Sequence, residues 1–121
     1  MTNQPAIEAA VNYWTSELQP PDKRDAFRAH LRLAIATAWE QAVEFHNQHP
    51  DWPAHVKIGV DYDPCPILLT ALRACGVECQ GFMFSAKGLF AGKTFSQLGE
   101  GTFFVREGRG DPGRLIYGGS P

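Results

Sequence analysis

The spacing of apolar residues changes twice along this chain, from a helical period to an alternating one and then to short apolar clusters set among glycines. Ile7, Ala10, Val11, Trp14 and Leu18 recur every three or four residues, which lays one apolar stripe along a helix that Pro20-Pro21 ends. Asp22 stands where a cap for a longer helix is expected, with Asp25 in the acidic position of a shortened capping box. Phe27, Leu31, Ala34, Ile35, Ala38, Ala42 and Phe45 repeat at helical spacing, and Trp39 and Val43 widen the stripe. A stripe this wide predicts contact with more than one neighbour, or with a second copy of the chain. His49-Pro50-Asp51-Trp52-Pro53 is read as a loop, broken by both prolines.

Beyond the loop, Val56, Ile58 and Val60 alternate with Lys57, Gly59 and Asp61, the period of a half-buried strand. Asp63 is the expected cap of a helix starting at Pro64, whose apolar face is Ile67, Leu68, Ala71, Leu72 and Cys75 and whose left-handed stop is Gly76. Val77 to Phe84 returns to strand character, so 56–84 reads as strand–helix–strand, with a right-handed parallel crossover favoured if both strands share a sheet. Thr102–Arg106 and Leu115–Tyr117 read as short strands flanking the turn-forming run Gly108-Arg109-Gly110-Asp111-Pro112-Gly113. The expected architecture is α+β in one domain, with a helical part over 1–48. Two N-terminal helices pack on a small mixed sheet, drawn from 56–121, that contains one strand–helix–strand unit.

Composition narrows the partners. A hydrophobic share of 44% with 20% charged residues is that of a globular domain, and a net charge of −2 predicts no general attraction to nucleic acid or to acidic membranes. Residues 1–55 carry four basic and seven acidic side chains and residues 56–121 seven and six, too small an excess for a nucleic-acid face, although Arg106, Arg109 and Arg114 cluster. No apolar run is long enough for a membrane span, and the start lacks the pattern of a signal peptide. Three cysteines without a C-x-x-C pair point to a reducing, cytoplasmic setting.

Lys87-Gly88-Leu89-Phe90-Ala91-Gly92-Lys93-Thr94 nearly spells a phosphate-cradling P-loop, which requires glycine, four residues, then Gly-Lys-Ser/Thr. Lys87 stands where the first glycine belongs, and Thr94-Phe95-Ser96-Gln97-Leu98-Gly99-Glu100-Gly101 does not read as the helix that must follow. The segment is therefore expected to be a glycine-rich turn between strands. His46, His49 and His55, with Asp51 or Cys65, have the makings of a metal site but are read as solvated residues at a helix end. Cys65 in the first turn of its helix lacks a partner histidine for catalysis, Cys75 and Cys79 are read as small core residues, and Arg109-Gly110-Asp111 is read as a turn. Neither a catalytic residue nor a metal or cofactor is assigned. Asp61 is the remaining candidate acid or base once Asp63 is committed to capping.

Phe82, Phe84, Phe103 and Phe104 fall on expected strands near Lys93, Arg106, Arg109 and Arg114. Rings with interleaved cations can sandwich a nucleobase and neutralise its phosphates, against the alternative of core rings and solvated cations. The candidate ligand-binding set is Phe82, Lys93, Thr94, Arg106 and Arg109.

Asp61-Tyr62-Asp63-Pro64, with Leu68, Ala71-Leu72 and Gly76-Val77 behind it and Cys75 at the place of an alanine, resembles small uncharacterised proteins of phages and prophages. In those proteins a D-Y-D-P-x-x-x-L-x-x-A-L-x-x-A-G segment leads to a Lys-Thr pair, a Gly-x-Gly turn and a final Ile-Tyr. Lys93-Thr94, Gly108-Arg109-Gly110 and Ile116-Tyr117 stand at the matching places, with Arg109 where those proteins carry tyrosine. The resemblance covers the second half of the chain. It implies a phage accessory factor in the host cytoplasm and no particular reaction. The expected function is a non-catalytic binding protein against host defence. It would either sequester a small nucleotide or phosphorylated signal, or block a host protein with Trp14, Trp39 and Trp52 as anchors. The alternative is a small hydrolase or transferase for a phosphorylated substrate, using Asp61 with Lys93. A homo-oligomer is compatible with either.

Overall fold

The computed structural model describes residues 3–18, 21–61, 64–77, 89–108 and 110–118. Among these residues, three named helices, α1 (Gln4–Thr15), α2 (Arg24–Gln48) and α3 (Pro66–Ala74), accompany four strands, β1 (His55–Gly59), β2 (Phe95–Gly99), β3 (Thr102–Arg106) and β4 (Arg114–Tyr117). The strands lie in the order β1-β2-β3-β4 and every neighbouring pair is antiparallel. The α+β expectation therefore holds, with both N-terminal helices on the sheet. Over the described residues the sheet is antiparallel rather than mixed. The expected second strand of the crossover, 77–84, lies outside the described residues apart from Val77. Among those described, the strand after α3 is β2, which returns beside β1.

Period-two alternation decides what the sheet buries. Val56 and Ile58 of β1, Ser96 and Leu98 of β2, and Phe103 and Val105 of β3 share register and point inward. There they meet Ile7, Ala10, Val11 and Trp14 of α1 and Phe27, Leu31, Ile35 and Trp39 of α2 in one apolar cluster. α1 lies across β2, β3 and β4, while α2 packs on β1 and α3. The one polar side chain on this buried face, Ser96, accepts the Trp14 indole N–H at 2.8 Å and donates to the Ile58 carbonyl at 2.7 Å, tying helix, β2 and β1 together. Glu8 and Arg32 join α1 to α2 through two hydrogen bonds of 2.6 and 2.9 Å.

Helix boundaries depart from the sequence reading in two places. Asp22 does not cap α2. Pro21–Lys23 winds as a single 3-10 turn, Lys23 occupies the cap position, and that tighter turn takes the place of a side-chain cap. Asp63 lies outside the described residues, and α3 starts later than expected, with Cys65 at its N-cap and Pro66 in its first turn. The helix stop is as expected. Gly76 adopts φ +79°, the Gly76 N–H reaches Arg73 and the Val77 N–H reaches Leu72, the paired bonds of a Schellman end.

Candidate functional site

The sheet has an outer face that no described helix covers. Its rows run Lys57–Gln97–Phe104–Leu115 and Gly59–Phe95–Arg106 across the strands. Among the described residues, the outward strand positions carry two full cations, Lys57 and Arg106, two phenyl rings and no carboxylate. This face is locally positive in a chain of net charge −2. The Arg106 guanidinium lies 5.9 Å from the ring centres of both Phe95, its cross-strand partner, and Phe104, its neighbour two positions back.

Beside Phe95 the face deepens into a cleft of about 320 Å³, lined by Lys57, Gly59, Val60, Asp61, Cys65, Thr94 and Phe95 along with Ile58. The backbone builds its floor. The Val60 N–H bonds to the Thr94 carbonyl at 2.9 Å and the Cys65 N–H to the Gly59 carbonyl at 2.9 Å, so the start of α3 folds against the end of β1. Gly59 approaches the Thr94 carbonyl so closely that a Cβ there would sit 2.6 Å from it. The cleft has the size of a small-molecule site, an apolar wall and a few polar groups at its rim. A second concavity, about 440 Å³ between α2 and α3, is lined by Leu33, Ala34, Ala38, Pro66, Ile67 and neighbours. Among the described residues its lining is mostly apolar and carries no lysine or arginine to neutralise a phosphate.

Gly92-Lys93-Thr94 is a turn, as the spacing indicated. Ala91 and Gly92 have φ +54° and +81°, and the Lys93 N–H closes onto the Phe90 carbonyl at 3.1 Å, as a turn with two left-handed central residues requires. The segment then enters β2, not a helix. β2 departs from the sequence reading, which finds neither a helix nor a strand over 94–101. The alternation of Ser96 and Leu98 with Phe95 and Gln97 was the available signal.

The Lys-Thr pair divides. Lys93, 8% exposed, turns to the end of α1, where its ammonium lies 5.0 Å from the Tyr13 ring centre and bonds Glu17, just beyond the helix, at 2.8 Å. That ammonium holds the Glu17 carboxyl below its ordinary range. Tyr13 donates to Glu107 at 3.2 Å, and burial together with that carboxylate pushes its phenol well up. The hollow beside Lys93 measures about 90 Å³ and is walled by Glu17, Ala91, Gly92 and Glu107, too small and too acidic for a nucleotide. Thr94 instead lines the outer cleft and donates to the Arg106 carbonyl at 3.2 Å.

Of the other sequence candidates, Arg106 and Thr94 come together with Phe104, whereas Phe103 is fully buried core. Phe82, Phe84 and Arg109 lie outside the described residues. Arg114 pairs with Glu107 at 3.2 Å. Trp14 and Trp39 belong to the core and cannot serve as anchors on a surface; Trp52 is exposed. Asp61 and Lys93 line different cavities, so the acid–lysine pair is not assembled. His46 and His55 bond the Trp52 and Pro53 carbonyls, His49 stacks on Phe45, and no three metal-ligating side chains converge among the described residues. Lys57 and Phe95, which the sequence reading did not single out, complete the cleft. Comparison with protein-family models and with curated proteins finds no match to the chain.

Proposed function

We propose that the protein is a non-catalytic binding protein that captures a small nucleotide-like, phosphorylated ligand on the outer face of its sheet. The observation that carries this reading is the Arg106 guanidinium 5.9 Å from the ring of Phe95, a residue that also lines the cleft of about 320 Å³. A base stacks on Phe95, its phosphate meets Arg106 and Lys57, and Asp61 and Thr94 at the rim receive or donate hydrogen bonds to sugar hydroxyls. Lys93 belongs to the scaffold in this reading, because its ammonium is committed to Glu17. The separation of Asp61 from Lys93 favours capture over turnover. The setting of a phage accessory factor that removes a host signal rests on the resemblance of the second half of the chain alone.

Small molecules released by heating the purified protein, followed by calorimetric titration with nucleoside monophosphates, test the reading. Retention or saturable binding is expected, with Arg106→Glu and Phe95→Ala each lowering affinity at least tenfold while the fold persists. Binding indifferent to both substitutions would remove the assignment. A second reading, the blocking of a protein partner, is favoured by β4, an edge strand whose Leu115, Ile116 and Tyr117 are all exposed. Loss of a partner's binding on Ile116→Lys, with nucleotide binding intact, would select it.

A further inference from the structure

We infer that the ligand of this face carries two bases joined through a phosphodiester, one base for each of two rings; the inference rests on the nucleotide-binding reading above. Phe95 and Phe104 stand on the two central strands as diagonal neighbours, since Phe95 pairs with Arg106 and Phe104 with Gln97. Diagonal positions in an antiparallel pair are roughly 7–8 Å apart, about twice the separation of stacked bases, so each ring takes a base of its own and the two bases are splayed. One guanidinium serves both rings at 5.9 Å, which places the positive charge where the linking phosphate would lie.

A mononucleotide in the cleft beside Phe95 leaves the half-buried Phe104 and the exposed Leu115 without a ligand contact. The chain keeps Phe104 in place by a specific device. Gly113, at φ +85°, presses on its ring so closely that a Cβ would stand 2.1 Å from the ring tip. Charge count points the same way. Lys57 and Arg106 together match one or two phosphate charges, too few for a triphosphate or a long polyanion, and the net charge of −2 opposes anything longer. The net-charge argument against nucleic acid thus limits the length of the ligand without excluding a short one. Two sources share this chemistry, a free dinucleotide and two nucleotides within a single strand.

The test titrates the full chain with adenosine monophosphate, with a linear adenylyl dinucleotide and with a ten-nucleotide adenylate strand. The dinucleotide is expected to bind about tenfold or more tighter than the monophosphate, the contribution of one additional stacked base. Phe104→Leu, which keeps apolar packing without a ring, should collapse that advantage, and Phe104→Ala should do the same. Because a ten-nucleotide strand offers nine overlapping two-base registers, a strand weaker than the dinucleotide identifies the free dinucleotide as the source and one tighter by up to about tenfold admits the strand. A greater gain shows contacts beyond two bases and overturns the length limit. Equal binding of monophosphate and dinucleotide, or an advantage that survives both Phe104 variants, overturns the two-base inference and leaves the mononucleotide reading standing. No binding of any of the three overturns that reading as well.

Discussion

Ser96→Ala removes a single hydroxyl from the buried face of β2, and its consequences can be worked through from the contacts. The hydroxyl accepts from the Trp14 indole at 2.8 Å and donates to the Ile58 carbonyl at 2.7 Å, with Trp14 and Ser96 both at 0% exposure. The substitution leaves the indole N–H without an acceptor in a site water cannot reach, at a cost of about 1–3 kcal/mol. Loss of the bond to Ile58 adds about 0.5–1.5 kcal/mol. A total near 2–3 kcal/mol is a large fraction of the stability of a domain this size and corresponds to a melting point lower by roughly 10 °C. Trp14→Phe, by contrast, removes the donor and much ring packing, so its cost is larger and of a different kind. Urea titrations of both single variants and the double variant read the coupling, expected at about 1 kcal/mol because the second change deletes an interaction already gone. Additivity to within about 0.5 kcal/mol would show that the hydrogen bond contributes nothing of its own. Ligand binding should survive Ser96→Ala at temperatures below its transition, since Phe95 and Gln97 on the same strand face the other way.

Three further outcomes follow from particular contacts. Asn3→Ala deletes the amide that donates to the Gly99 carbonyl at 3.0 Å and accepts from the Gly101 N–H at 2.8 Å, and should cost about 2 kcal/mol. Asn3→Gly loses the same bonds without strain at φ +45°, so a glycine variant as stable as the parent in urea would count against the clamp. The Glu17 carboxyl sits below its ordinary value of 4.5, so the Lys93 pair stabilises the fold above that pH and is lost as pH falls through the lower folded value. Glu17→Gln should therefore flatten the acid limb of the stability profile below pH 4.5, and an unchanged slope would contradict the pairing. Gly113→Ala puts a side chain at φ +85° and into the Phe104 ring, so about 1–2 kcal/mol of stability and the second-ring contribution to binding should go together. Calorimetry on this one variant reads both.

The helices and the outer limits of the sheet were legible because their signals are local. The stripe Ile7–Leu18 needed only helical spacing, and every residue in it is buried. The alternation Val56–Ile58 and the Gly76 stop were equally direct. The failures share a cause. Trp39, whose spacing only widens the stripe, is core, whereas Phe45 on the stripe is exposed and meets His49. β2 is not legible because its five residues, Phe95–Gly99, carry only two large apolar side chains, Phe95 and Leu98, at a spacing that fits a helix, and only pairing with β1 and β3 settles the period. For the site, the cations were visible but their direction was not. Lys93 and Thr94 are adjacent in sequence and serve opposite sides of the molecule, a division set by α1, which is remote in sequence from both.

That division has a structural logic centred on α1. In a sheet with one buried face, a slip of one residue in β2 would bury Phe95 and expose Ser96, which the apolar core itself already disfavours. Three contacts from α1 and its flanks oppose this. Asn3 holds the hairpin after β2 at Gly99 and Gly101, Trp14 holds Ser96 within it, and Glu17 holds Lys93 just before it. The lengths agree. The 12 residues of α1 rise about 18 Å and the five of β2 extend about 17 Å, so a helix running opposite to the strand spans it from end to end. With register fixed entirely from the buried side, the outer side needs no covering layer to keep Phe95, Gln97 and the cross-strand Arg106 in place. The buried lysine of the near P-loop is thus one end of the splint that holds the sheet in register.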